Sequence, residues 1–268
     1  LYIYFRKSDI EKGLRKMKDK IVTFGEIMLR LSPENNARFT QCNAFEAVYG
    51  GGEANTAVSL ANFDVDANYV TKLPKHIIGQ AAINSLRQYG VGVDHIVRGG
   101  DQIGIYFLEK KTSQRPTNVI YNRAGSAFAL ATADDFNWDE IFDGATWFHF
   151  SGITPAISDE MTNICITACQ KAKEKGMTVS CDLNYRSKLW SSEKACEAMS
   201  RICQYVDVCI ANEDDAIGIF SMNPADANGE EKNAYIAREL MKKFPFKMVA
   251  SVSVSYTHLR AHETAANL

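Results

Sequence analysis

The sequence predicts an α/β fold, with a doubly wound, mostly parallel sheet carrying a small β lid. Three observations point there. Short apolar runs alternate with segments of helical period between about 20 and 250, which is the signature of βα units. Two stretches, 27–50 and 103–124, break that alternation with β-rich patterning. Polar and glycine-rich motifs stand at the ends of several apolar runs, where open α/β sheets bind ligands.

Taken in order, the apolar runs predict strands at 20–25, 68–73, 146–150, 177–182, 207–211 and 247–250. Helices are predicted at 53–63, 77–89, 158–175, 193–204, 212–220 and 230–243. The helix at 158–175 is the most legible. Met161, Ile164, Cys165, Ala168 and Ala172 form a core-facing stripe, with Ser158 as N-cap and Gly176 as the stop. The lid strands read M-L-R-L and F-E-A-V-Y in the first stretch, then I-G-I-Y-F-L-E and T-N-V-I-Y-N-R in the second. Lacking helical period, they read as antiparallel strands outside the main sheet, placed as a lid over its carboxyl ends. Residues 223–232 read as a solvated polar loop.

The chain has 268 residues, 46% hydrophobic and 23% charged, which fits one large domain or two modest ones. A net charge of -2 provides no global attraction to nucleic acid or an anionic membrane. No run is long and apolar enough to span a bilayer, and 1–20 lacks the apolar core of a secretory signal. Seven cysteines without a C-x-x-C pair suit reduced thiols in a cytoplasmic protein. Both ends look foreign to this pattern. Residues 1–16 read as a translated leader before Met17, and 252–268 as a non-native tail on a domain, 17–251, cut near Ser251. His258, His262 and Glu263 in that tail miss the H-E-x-x-H spacing of a zinc site.

Four motifs could carry chemistry. G-G-G-E-A-N at 50–55 runs into a helix, so backbone amides could approach an anion or sugar there; the same glycines also suit a tight turn between lid and core. Y-N-R-A-G-S-A at 121–127 closes the second lid stretch, and Tyr106 and Tyr121, which alternate with apolar residues, fit a lid core or a dimer face as well as a ligand. D-L-N-Y-R at 182–186 ends a strand in a carboxylate, an amide and a guanidinium. This suits a floor that reads an anion, although an isolated surface turn would look alike. N-E-D-D at 212–215 follows another strand and suits either a hydrated Mg²⁺ or the acidic first turn of a helix. His149, inside W-F-H-F, reads as a satisfied core histidine.

Together these motifs resemble the ribokinase-like, phosphofructokinase-B type carbohydrate kinases over about 20–250. F-H-F-S-G-I-T-P-A at 148–156 and D-L-N-Y-R-S-K-L-W at 182–190 resemble its ketodeoxygluconate branch. That branch implies ATP-dependent, Mg²⁺-assisted phosphorylation of the terminal hydroxyl of 2-keto-3-deoxygluconate, with ribose, fructose or nucleoside kinases as alternatives and a non-catalytic sugar-acid sensor as a further one. Carried over residue by residue, Gly25 and Glu26 look like the opening substrate contact, and Gly51, Asn55, Tyr106, Tyr121, Arg123 and Arg186 would hold the sugar acid. Asn184 and Tyr185 would lie near ATP, with Asn212 and Asp215 near its phosphates and Asp215 on Mg²⁺. The family's N-x-x-E is shortened here to end in Asp215, and Asp64 stands where the family carries Gly or Ser at a turn. The family's late G-A-G-D, whose Asp is the catalytic base, has no match, so the chain is expected to be nearly inactive. The resemblance also implies a lid-to-lid homodimer.

Overall fold

The computed structural model describes residues 2–5, 19–222 and 229–251; the expected leader beyond its first residues, the loop 223–228 and the tail 252–268 with its histidines lie outside them. In chain order the elements are β1 (Tyr2–Phe5), β2 (Lys20–Phe24), β3 (Met28–Pro33), β4 (Phe45–Gly50), α1 (Gly52–Asn62), β5 (Asp66–Val70), β6 (Lys72–Leu73), α2 (Ile77–Arg87) and β7 (Val97–Arg98). They continue with β8 (Ile105–Glu109), β9 (Asn118–Asn122), α3 (Trp138–Ile141), β10 (Trp147–Ser151), α4 (Asp159–Glu174), β11 (Thr178–Asp182), α5 (Ser192–Ile202), β12 (Val208–Ala211), α6 (Glu213–Phe220), α7 (Gly229–Lys243) and β13 (Met248–Ser251).

The main sheet runs β1-β13-β12-β11-β10-β2-β5. Every pairing in it is parallel except β1 on β13, where Tyr2 faces Ser251 and Phe5 faces Met248. Residues 2–5 of the expected leader thus add an edge strand to the sheet, since backbone pairing with an open edge needs no side-chain periodicity. The lid sheet runs β4-β3-β8-β9. Its outer pairings are antiparallel, but β3 and β8 pair in parallel, which corrects the wholly antiparallel expectation. The reason is topological: β3 and β8 both leave the main domain in the same direction, from separate excursions of the chain. The strand expected at 68–73 is two strands. β5 follows β2 in register up to Phe24 opposite Val70, and β6 then turns away to pair with β7.

The parallel strands are covered on both faces, and the core is correspondingly apolar. Phe24 is fully buried and packs its ring against Phe128, Phe136 and Trp138 at centroid distances of 5.3, 5.1 and 5.2 Å. Such a side chain contributes roughly 1.5–3 kcal/mol through burial. The stripe predicted for α4 is buried throughout, Ser158 Oγ accepts from the Met161 N–H at 3.1 Å, and Gly176 follows at φ +72°. Asp64 adopts φ +60° in the turn after α1, a conformation that Asp tolerates better than most residues. His149 is buried and satisfied. Its Nδ1 lies 2.9 Å from Ser180 Oγ, which also accepts from Trp147 Nε1 at 2.7 Å, and burial pushes its pKa down to about 4.

Candidate functional site

Four neighbouring strands, β2, β10, β11 and β12, end on one side of the sheet, and their following residues form a continuous polar floor. At the β2 end, Tyr69 Oη donates to the Gly25 carbonyl at 2.8 Å. A Cβ on Gly25 would overlap the Glu53 carboxylate, and one on Gly51 would overlap the Glu26 carbonyl. The segment after β2 and the start of α1 therefore meet at backbone distance, which only glycine permits. This brings Gly25, Glu26 and Gly51 together.

Glu53 was not singled out by sequence reasoning, yet it organises this floor. It is buried in the first turn of α1, and its Oε1 accepts from the Ser151 N–H at 3.0 Å, Ser151 Oγ at 2.5 Å and Thr154 Oγ1 at 3.3 Å. Burial raises its pKa and these three donors pull it back. One carboxylate thus ties α1 to the end of β10. Its only sequence signal is an acidic residue in a helix's first turn, which ordinarily means a solvated side chain.

The floor continues at β11. The Gly152 N–H donates to the Asp182 carbonyl at 2.7 Å. Asp182 Oδ1 accepts from the Asn184 N–H at 3.1 Å, and Asn184 itself is held at φ +38°. Burial, then the charge of Asp215, pushes the Asp182 pKa up to about 6. Asp215 uses both oxygens on the main chain: Oδ1 accepts from the Tyr185 N–H at 2.8 Å and Oδ2 from the Asn212 N–H at 3.1 Å. Asn212 Oδ1 accepts in return from the Asp215 N–H at 2.8 Å, closing a capping box at the start of α6. The 183–186 loop is thereby pinned to β12 and α6. Burial is the largest influence on Asp215 and raises its pKa.

Not every expected contact faces the floor. Tyr185 packs against the main core, and a Cβ on Gly218 would overlap its ring, so its side chain turns inward. Asn55 is exposed and lines a ≈ 490 Å³ cavity with Tyr49, Val58 and Tyr89, between lid, α1 and α2. Tyr106 and Tyr121 lie directly opposite each other in the lid and stack with centroids 5.8 Å apart. Arg123 is ion-paired with Glu26. Arg186 is exposed, forms no ion pair with a described residue, and its charge lowers the pKa of both Asp182 and Asp215.

Among the described residues no group of three or more His, Cys, Asp or Glu side chains could cage a metal ion. An all-protein site therefore does not fit. A Mg²⁺ carried in on phosphates fits better, because such ions draw only one or two protein carboxylates. Asp215 accepts one main-chain hydrogen bond on each oxygen, which leaves each oxygen a further lone pair for such an ion.

The profile of the pfkB family carbohydrate kinases matches residues 18–250. The chain belongs to this family. By family it is a carbohydrate kinase, and its own structure is the α/β fold with a lid sheet described above. It is 37% identical to the 2-dehydro-3-deoxygalactonokinase of Haloferax volcanii over 235 residues, covering 87% of this chain and 71% of that protein. It is 28% identical to the 2-dehydro-3-deoxygluconokinase of Bacillus subtilis over 179 residues, 66% of this chain and 55% of that one. The crystal structure of 2-dehydro-3-deoxygluconokinase from Thermotoga maritima superposes with a TM-score of 0.84 at 50% identity, covering 87% of this chain and 72% of the other. No helix among the described residues is long and apolar enough to cross a membrane.

Proposed function

We propose that this pfkB-family chain serves ATP-dependent phosphorylation of a 2-keto-3-deoxy sugar acid, with 2-keto-3-deoxygluconate the first candidate and its galactonate epimer the second. The observation that carries the choice of an acid is Arg186. It is a guanidinium without an ion-pair partner among the described residues, at the carboxyl end of β11, where it can meet a carboxylate in two-point fashion. The likeness to relatives whose names specify 2-dehydro-3-deoxy sugar acids supports the same choice.

In this reading Arg186 receives the sugar's carboxylate, while Gly25, Gly51 and the Tyr106/Tyr121 pair line the sugar and Asn55 borders it from the α1 side. Asn184 and Asn212 offer amides to the nucleotide. Mg²⁺, when bound with ATP, supplies neutralisation of phosphoryl charge. Asp215 contributes by pinning the 183–186 loop that presents Arg186 and Asn184. Tyr185 anchors the same loop from within the core. The stacked tyrosines on the lid also suit contact with a second lid, and the seven free cysteines suit a reducing cytoplasm.

Calorimetry tests the reading. The two sugar acids should bind, ribose and fructose should not, and Arg186→Gln should weaken acid binding at least tenfold, as expected for a lost charge-assisted contact. Ribose binding as tightly as either acid would overturn it. Competition between the two acids in the same calorimetry then ranks gluconate against galactonate. Acid binding that no nucleotide influences in any form of the protein would favour a sensor instead.

A further inference from the structure

We propose that Glu26 is a positioning residue: it holds Arg123 at the junction of lid and main sheet, so that Arg123 offers hydrogen-bond donors to an uncharged oxygen of the sugar and leaves the carboxylate to Arg186. The inference rests on the sugar-acid reading above and deepens it, moving Glu26 from a substrate contact to the support behind one.

The geometry is specific. Glu26 lies between β2 of the main sheet and β3 of the lid, and Arg123 directly follows β9, the lid's outermost strand. Their side chains pair through Arg123 Nη2 and Glu26 Oε2 while only 10% and 3% exposed. The other carboxylate oxygen accepts from Ser126 Oγ at 2.5 Å, and that hydroxyl in turn accepts from the Ala129 N–H at 3.1 Å. The Ser126 N–H donates to the Arg123 carbonyl at 3.0 Å, so the whole turn after β9 is wrapped around Glu26.

Two consequences follow. The charge of Arg123 is already balanced before a ligand arrives, so a second carboxylate would find a neutral pair there. Arg123 Nε is also buried without a hydrogen-bond partner among the described residues, a donor that gains most from an incoming acceptor. The charged and titratable groups around Glu26 are Arg123, Glu53 and Tyr69. Burial raises its pKa most, Arg123 and Ser126 pull it back, and Glu53 adds to the rise.

The test combines calorimetry with hydrogen exchange on the full chain, using 2-keto-3-deoxygluconate and its uncharged methyl ester. Arg186→Gln should erase the preference for the acid over the ester. Arg123→Gln should weaken both ligands by a similar factor, about tenfold. Glu26→Gln should do the same and also speed exchange in 105–109 and 118–122 at least tenfold, with 178–182 unchanged, and Glu26→Asp should restore most of both. Ser126→Ala, a milder change, should move both readouts in the same direction if Glu26→Gln fails to fold. The proposal is overturned if Arg123→Gln selectively loses the acid, or if Glu26 and Ser126 variants leave lid exchange unchanged. Should the wild type bind neither ligand, the sugar-acid reading falls, and the exchange data still decide the support role.

Discussion

Replacing Asp182 with Asn should stabilise the protein at neutral pH. The carboxyl titrates at about 6 in the fold, against an ordinary value of 3.8. Burial is the main cause, followed by the facing charge of Asp215; the Asn184 N–H and Arg186 only partly compensate. The folded state thus binds this proton more readily than the unfolded chain. Between about pH 6 and 4 the contribution of Asp182 to stability rises as the pH falls, and at pH 7 the ionised group exerts its full cost. At about 1.4 kcal/mol per unit, a two-unit rise corresponds to roughly 3 kcal/mol, and partial solvent access brings the expectation to about 1–3 kcal/mol. Asn keeps the oxygen that accepts from the Asn184 N–H, so the turn at φ +38° survives. Urea denaturation of wild type and Asp182→Asn at pH 7.5, 6, 5 and 4 checks this. The stability difference should be largest at pH 7.5 and shrink toward zero near pH 4. A variant less stable than wild type at pH 7.5, or a difference that does not change with pH, would refute the assignment of Asp182 as a strained floor carboxylate.

His149 should act in the opposite sense. Its pKa of about 4 lies below the ordinary 6.5, so the unfolded chain takes the proton first and up to about 3 kcal/mol of stability is lost as the pH falls from 6.5 to 4. His149→Gln should flatten that loss in melting curves at pH 7 and 5. Glu53→Ala strands the Ser151 N–H and hydroxyl in the core and should cost about 2–4 kcal/mol in chemical denaturation. Gly51→Ala forces a Cβ onto the Glu26 carbonyl and should cost about 1–3 kcal/mol while weakening sugar-acid affinity, measured by calorimetry.

Local chemistry determined much of this protein. The α4 stripe with its Ser158 cap and Gly176 stop is written in spacing and turn chemistry, which act over a few residues, and the structure reproduces it. The alternation of apolar runs and helical patterns likewise specified the α/β class, because burial on both faces demands it. Motifs at strand ends marked the side of the sheet that carries the candidate site. What the sequence could not express is partnership across the chain. Glu53 reads as a solvated first-turn acid, and only the meeting of α1 with β10 makes it a buried acceptor for Ser151 and Thr154. Arg123 and Arg186 read as an equivalent pair, yet folding neutralises one on Glu26 and leaves the other without an ion pair among the described residues. Asp215 reads as a candidate metal ligand, and only tertiary contact shows that it also pins a neighbouring loop. The parallel β3–β8 pairing and the edge strand β1 also depend on hydrogen bonds between segments far apart in sequence, which carry no local pattern. Residue type and periodicity thus determined the scaffold and the candidate residues. Long-range packing decided their charge states and partners, because burial and proximity in space set those energies.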